Sequence, residues 1–191
     1  MDALQDTTGL VLAGGAGRRV GGVDKGLVPW KGKPLVEHVV HRMRTEVATL
    51  LISCNRNSDY YAPLADNIVN DQRHGFPGPL AGIEAAIPLL ETEFLLISPC
   101  DTPCLPDDLG ARLLAALDGP GASFNISYAH DGERGQYLCA VLRRRVVHTL
   151  TAALDSGVRA VHLWYRQHRC VAVDFSHQRT RFHNINRLGD A

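Results

Sequence analysis

Residues 8–26 read Thr-Gly-Leu-Val-Leu-Ala-Gly-Gly-Ala-Gly-Arg-Arg-Val-Gly-Gly-Val-Asp-Lys-Gly, and they constrain the fold more than any other stretch. A short apolar run, Leu10 to Leu12, breaks into a loop that holds Gly14, Gly15, Gly17, Gly21 and Gly22. Such a run ending in glycines predicts a buried strand followed by a backbone that must pass close to something. Glycine N–H groups turn toward an anion without Cβ obstruction. Arg18, Arg19 and Lys25 sit in the same loop and carry the opposite charge. The chemistry that fits is a cradle for the phosphates of a nucleoside triphosphate.

Two familiar glycine patterns do not fit. A P-loop needs Lys directly after its last Gly and a hydroxyl after that Lys, to reach the phosphates and hold Mg²⁺. Here Val23 and Asp24 separate Gly22 from Lys25, and Gly26 follows. The dinucleotide pattern G-x-G-x-x-G starts at Gly15 and Gly17 but meets Val20 where a third Gly belongs. It also asks for an acidic residue at the end of the second strand, to hold a ribose. That position reads Ser53-Cys54-Asn55-Arg56.

Further strand-like runs recur at Thr49–Ser53, Ile68–Asn70 and Phe94–Ser98. Between them, helical spacing of apolar residues appears over Pro34–Val47, Pro79–Leu90 and Pro106–Leu117, the last opening on Pro-Asp-Asp at its positive end. Alternation of this kind predicts an α/β fold, an open and mainly parallel twisted sheet with helices on both faces. The second half is less regular. Strands over Ser123–Tyr128 and Tyr137–Leu142, helices near Arg145–Asp155 and Val158–Gln167, and a last strand over Cys170–Phe175 precede a polar tail. The 191 residues suit one domain, with about 8–104 on the nucleotide side and 105–191 on the side of a second substrate.

Composition excludes several classes. Formal net charge is zero, so neither a nucleic acid nor an acidic membrane is implied as partner. No apolar run is long enough to span a bilayer, and the acidic start, Met1 to Asp6, lacks a signal core. Five scattered cysteines read as reduced thiols in the cytoplasm. Only Lys25, Lys31 and Lys33 are lysines in an otherwise arginine-rich chain, and all lie near the glycine loop.

In open parallel sheets, ligands bind beyond the carboxyl ends of the strands. That rule gathers Ala13 and the glycine loop, Ser53 to Asn55, Asp71, and Pro99-Cys100-Asp101-Thr102-Pro103 at one edge. Asp101 follows a fully apolar strand and suits a Mg²⁺ site, which takes one or two carboxylates and completes its shell with phosphate and water. A turn or cap role would also suit it. Asp71 is either a turn residue or a carboxylate free to accept from N–H donors of a ligand. Gly78-Pro79-Leu80-Ala81-Gly82 offers either free N–H groups at a helix start or close packing. Asn184 and Asn186 share one face if extended, and two amides suit a heterocycle edge or an ordinary turn.

Leu12-Ala13-Gly14-Gly15-Ala16-Gly17-Arg18-Arg19, extended through Asp24-Lys25-Gly26, resembles the signature of the nucleotidyltransferases with a Rossmann-like fold, and within them the bacterial molybdenum cofactor guanylyltransferases. Pro99 to Pro103, the Gly78–Gly82 stretch and Asn184-Ile185-Asn186 are similar to that family too. The resemblance implies a Mg²⁺-dependent transfer of GMP from GTP to the terminal phosphate of Mo-molybdopterin. Leu12, Ala13, Gly14, Gly15, Gly17, Lys25, Asn55, Asp71 and Asp101 would bind nucleotide. Arg19, Lys25 and Asp101 would act in transfer, Asp101 would carry the metal, and Asn184 and Asn186 would hold the pterin. It also implies transient contact with proteins that make or accept the cofactor. The chain departs from the family at Ser53, where some members have Asn, leaving Ser53 or Asn55 as the base contact. It departs again at Gly135-Gln136-Tyr137, where the family continues toward His-Pro. Read alone, the residues also fit transfer from CTP, a sugar or alditol phosphate acceptor, a dinucleotide oxidoreductase, or a non-catalytic nucleotide-binding protein.

Overall fold

The computed structural model describes residues 3–15, 24–73, 78–119 and 123–185. Gly17, Arg19 and Asn186, all singled out above, lie outside these described residues.

Strand β1 (Thr7–Leu12) begins three residues before the apolar run, because the buried β-branched Thr7 and Thr8 extend it across Gly9. Gly9 on this strand has no room for a side chain, since a Cβ there would stand 2.8 Å from Leu50 and 3.2 Å from Val47. A two-stranded hairpin not foreseen in the sequence follows, β2 (Pro29–Trp30) with β3 (Lys33–Pro34). Its turn puts Lys31 (φ 46°) and Gly32 (φ 81°) in the left-handed region that tight hairpins demand. Helix α1 (Leu35–Met43) is shorter than expected, and Val47 turns inward against Gly9 instead of continuing it.

The chain continues through β4 (Thr49–Ser53), the single turn α2 (Ser58–Tyr61) and β5 (Asn67–Val69). Helix α3 (Pro79–Ala85) gives way to a 3₁₀ turn at Ile87–Leu89, where Pro88 cannot continue the α ladder. Then come β6 (Phe94–Pro99), α4 (Leu109–Leu117), β7 (Ile126–His130) and β8 (Gly135–Arg143). Three short helices, α5 (Arg144–Val147), α6 (Leu150–Asp155) and α7 (Val161–Tyr165), lead to β9 (Cys170–Asp174). The tail is not merely polar. A 3₁₀ segment, Ser176–Phe182, folds Phe182 against Phe175 at 5.5 Å, and both rings are buried.

Among the described residues seven strands form one sheet in the order β5-β4-β1-β6-β8-β7-β9, in which only β8 runs antiparallel to its neighbours. Side chains alternate across it. Val11, Ile52 and Leu96 face a core with α1 and α4, while Leu10, Leu51 and Ile97 face one with α3, α5, α6 and α7. The α/β class with helices on both faces follows from this double burial. Chain order reverses at β1, with β4 on one side and β6 on the other, which makes the carboxyl end of β1 the switch point of the sheet.

The start of α4 differs from the sequence reading. The helix starts at Leu109, and its N-cap residue Asp108 makes no side-chain cap. The cap comes instead from Glu46, a buried residue after α1 whose Oε2 accepts from Ala111 N at 3.2 Å. Gly110 makes room for it, because a Cβ there would stand 2.6 Å from Glu46 Oε2. Among the described residues no helix is long and apolar enough to cross a membrane.

Candidate active site

The backbone leaving β1 stays pinned to both neighbours. Ala13 N donates to Ser53 O at 2.8 Å, and Cys100 N donates to Leu12 O at 3.1 Å. Leu12, Ala13, Gly14 and Gly15 therefore emerge level with the ends of β4 and β6. Asn55 then ties the glycine loop to the end of β5. Its Nδ2 donates to Gly14 O at 3.1 Å and to Asp71 Oδ2 at 2.9 Å, while its Oδ1 accepts from Asp71 N at 2.9 Å. Arg56 adds a guanidinium at the same place, donating to Gly15 O at 3.3 Å.

Of the two residues left open at the end of β4, Asn55 meets Gly14 and Asp71. Ser53 lies underneath, buried, with its Oγ 2.6 Å from where a Cβ on Gly82 would sit. Close packing is thus the visible role of Gly82, since the first turn of α3 rests directly on Ser53. Gly78, at φ 90°, holds a left-handed conformation that starts the helix.

Lys25 reaches the site from the far side of the loop. Its Nζ pairs with Asp101 Oδ2, and both side chains are largely shielded from water. What fixes Lys25 is its neighbour. Asp24 is buried, and its Oδ1 accepts from Gly26 N at 3.1 Å and from the Tyr61 hydroxyl at 2.7 Å. Its Oδ2 accepts from Asn57 Nδ2 at 2.8 Å. Gly26 is required here, because a Cβ would stand 2.4 Å from the Tyr61 hydroxyl. Asn57 takes a left-handed backbone (φ 54°) and forgoes capping α2 with its side chain. The segment 55–61 is therefore a bracket, with Asn55 holding the glycine loop and Asp71, and Asn57 and Tyr61 holding Asp24.

Asp101 sits on the turn after β6, where its backbone O accepts from Ile185 N at 2.9 Å. The adjacent Thr102 hydroxyl donates to Asn184 Oδ1 at 2.9 Å. The C-terminal segment thus docks on the Asp101 turn and delivers Asn184 beside it. On the other side of Asp101 a cavity of about 300 Å³ opens, walled by Gln136, Tyr137, Cys139, His162 and Asn184.

Among the described residues, three buried side-chain atoms lack a hydrogen-bond partner: Ser53 Oγ, Asp71 Oδ1 and Asp101 Oδ1. All three lie at the carboxyl edge of the sheet. An orphaned buried oxygen costs about 1–3 kcal/mol, and native interiors rarely leave one. Burial raises the Asp71 carboxyl above its ordinary value, the Asn55 amide opposes that, and the charge of Glu84 adds to it. Buried acceptors beside a glycine loop and a lysine suit a phosphate-rich ligand bearing N–H donors. No cluster of three or more His, Cys, Asp or Glu forms a metal cage among the described residues. A single orphaned carboxylate fits Mg²⁺, which takes one or two protein ligands and fills its octahedron with phosphate and water.

Sequence reasoning missed Asn57, Tyr61, Gln136, Tyr137 and His162 as parts of this region. Asp24 next to Lys25 was visible, but its burial, which calls for donors such as Tyr61, was not.

Fold and site together place the start of the glycine loop, the Lys25–Asp101 pair and two buried carboxylates at the switch point of an α/β sheet. A family model described as MobA-like NTP transferase domain matches residues 9–171, and the chain belongs to that family. The chain is 42% identical over 177 residues to the molybdenum cofactor guanylyltransferase of Shewanella amazonensis, covering 93% of this chain and 89% of that one. Among solved structures it is similar to molybdopterin-guanine dinucleotide biosynthesis protein A from Archaeoglobus fulgidus, with a TM-score of 0.73, 22% identity, and 94% and 92% of the two chains covered. It also shares its fold with 4-diphosphocytidyl-2C-methyl-D-erythritol synthase from Anaerococcus prevotii, at a TM-score of 0.72 and 11% identity, covering 100% and 96%.

Proposed function

We propose that the protein transfers GMP from GTP to the terminal phosphate of Mo-molybdopterin, releasing pyrophosphate and forming the guanine dinucleotide cofactor. The observation that carries this reading is the pair of orphaned buried carboxylate oxygens, on Asp71 and Asp101, flanking the glycine loop and Lys25. The names of relatives at about this level of identity point the same way.

In this account a terminal phosphate oxygen attacks the α-phosphorus of GTP, the new P–O bond forms, and the bond to pyrophosphate breaks. A phosphate monoester has its second pKa near 6, so the attacking group is already mostly dianionic at neutral pH. No general base is required, and catalysis is positioning plus charge neutralisation. Backbone N–H groups of the loop that starts at Gly14 hold the phosphates, and Lys25 and Arg19 offset the charge that grows on the leaving pyrophosphate. Asp71 Oδ1 accepts from the N–H edge of guanine, which adenine lacks. Asp101 would hold Mg²⁺, which when bound neutralises phosphate charge. The residues up to Cys104 serve the nucleotide, and those beyond it serve the acceptor, with Asn184 and Asn186 on the pterin.

Asp101→Asn keeps the size of the side chain and removes its charge. Turnover in Mg²⁺ should be abolished with the thermal midpoint retained, and near-normal Mg²⁺-dependent activity overturns the metal assignment. Comparing GTP, CTP, ATP and UTP for pyrophosphate release tests Asp71, and equal rates with ATP contradict its role.

A further inference from the structure

The cavity beside Asp101 is made by an irregularity in β8. Tyr128 pairs with Ala140, but the next residue of β7, Ala129, pairs with Gln136. Residues 137–139 therefore have no counterpart on β7, and β8 bulges outward at Tyr137-Leu138-Cys139. Pairing with β6 stops at Ala140, so the bulge lies beyond the ladder on that side as well. Bulges of this kind re-aim side chains and recur beside active sites.

The bulge presents an aromatic wall. Tyr128 backs the Tyr137 ring at 4.9 Å and Tyr165 does so at 6.0 Å, while His162 of α7 stands 5.9 Å away. Tyr165 also donates its hydroxyl to Tyr137 O at 2.9 Å, fixing the backbone of the bulge. Gly135 lets the two rings close over the strand, since a Cβ there would stand 3.0 Å from both Tyr128 and Tyr137.

Gln136 is oriented by chemistry. Asp131 accepts from the backbone N–H of Glu133 at 2.9 Å and of Arg134 at 2.8 Å, and the Gln136 amide lies 2.6 Å from its other oxygen. Burial pushes the Asp131 carboxyl up, but those N–H groups, the Gln136 amide and the Arg134 charge outweigh it and hold it at about 2. An ionised carboxylate only accepts, so the Gln136 atom facing Asp131 is the NH₂. Its carbonyl oxygen remains as the acceptor on this cavity-lining side chain. Among the described residues lining the cavity, Asp101 is the one acidic side chain, and none is a lysine or arginine.

We infer that the β8 bulge and α7 seat the fused heterocycle of the acceptor, with Tyr137 stacking on its face and Gln136 Oε1 accepting from its amino or ring N–H edge. The charge layout sets the orientation, with the neutral ring inside the cavity and the phosphate at the Asp101 mouth. The inference rests on the proposed transfer to molybdopterin, and it names the residues that would recognise that acceptor's ring.

Steady-state kinetics with Mo-molybdopterin and GTP varied separately test it in Tyr137→Leu and Gln136→Met. The expected result is an acceptor KM raised about tenfold in each, with the GTP KM within twofold of wild type. Wild-type acceptor KM in both variants, with unchanged thermal midpoints, overturns it. If Tyr137→Leu does not fold, Gln136→Met decides alone. If the wild type forms no dinucleotide at all, the proposed function fails, and the ring seat is then judged by the fluorescence of free pterin. Saturable quenching by the wild type that is lost in Gln136→Met supports the seat, and no quenching by the wild type refutes it.

Discussion

Tyr61→Phe isolates one hydrogen bond in the bracket that holds Lys25. The ring stays in the core shared with α1, and only the hydroxyl that donates to Asp24 at 2.7 Å is lost. Burial first, then the hydrogen bond to Asp24 and its charge, push the Tyr61 phenol far above its ordinary value, so it stays a donor wherever the protein is folded. After the substitution Asp24 Oδ1 keeps Gly26 N, and Oδ2 keeps Asn57. A hydrogen bond to a buried charged group is worth about 1.5–3 kcal/mol, which sets the loss of stability expected in urea unfolding. For a chain of this length that corresponds to a fall of roughly 3–12 °C in thermal midpoint. Because Asp24 positions Lys25, kcat/KM for GTP should drop as well, by about tenfold, or about 1.4 kcal/mol. The paired swap Asp24→Asn with Asn57→Asp keeps one amide and one carboxylate facing each other, and it should recover activity that Asp24→Asn alone loses. A stability change below about 0.5 kcal/mol together with unchanged kcat/KM refutes the bracket, since surface positions behave that way.

Three further outcomes follow from the same geometry. Lys25→Ala should lower kcat/KM at least about tenfold, equivalent to about 1.4 kcal/mol of transition-state stabilisation, and unchanged kinetics would reduce Lys25 to a surface cation. Gly82→Ala drives a Cβ to 2.6 Å from Ser53 Oγ and 3.0 Å from Leu12, an overpacking worth about 1–3 kcal/mol that Ser53→Gly should relieve when both are combined. Burial raises the Glu46 carboxyl, opposed by the N–H groups of Ala111 and Gly110, so the folded protein keeps a proton that the unfolded chain releases. Its contribution is therefore greatest at acid pH and falls from about pH 4.5 up to the raised native value. Glu46→Gln should gain stability relative to wild type across that window in urea titrations, and a relative loss contradicts the assignment.

The legible parts of the fold were those written in contiguous residues. The apolar runs of β1, β4 and β6 announce buried parallel strands, and the rule on strand carboxyl ends brings Gly14, Asn55, Asp71 and Asp101 to one edge without further help. What the sequence hid depends on contacts between distant residues. Glu46 displaces the nearer Asp107 and Asp108 as the cap of α4 because packing of α1 carries it there. The turn of the β2–β3 hairpin places Lys31 in a conformation its residue type does not advertise. Asp24 reads as one more charge in a charged loop until Tyr61 and Asn57 are seen around it. The bulge at Tyr137–Cys139 interrupts no apolar pattern, so Tyr137 reads as an ordinary strand tyrosine. Phe175 and Phe182 are seven positions apart, and the short 3₁₀ segment between them decides that the tail docks and brings Asn184 to Thr102.

Guanylyl transfer to a pterin phosphate is directly measurable. The most direct measurement is incubation of the purified protein with Mg-GTP and Mo-molybdopterin, followed by separation of the products. One guanine dinucleotide should form for each pyrophosphate released, and neither should appear when GTP is replaced by ATP. Dinucleotide formed equally well from CTP or ATP, or GTP bound without any pyrophosphate release, would contradict it.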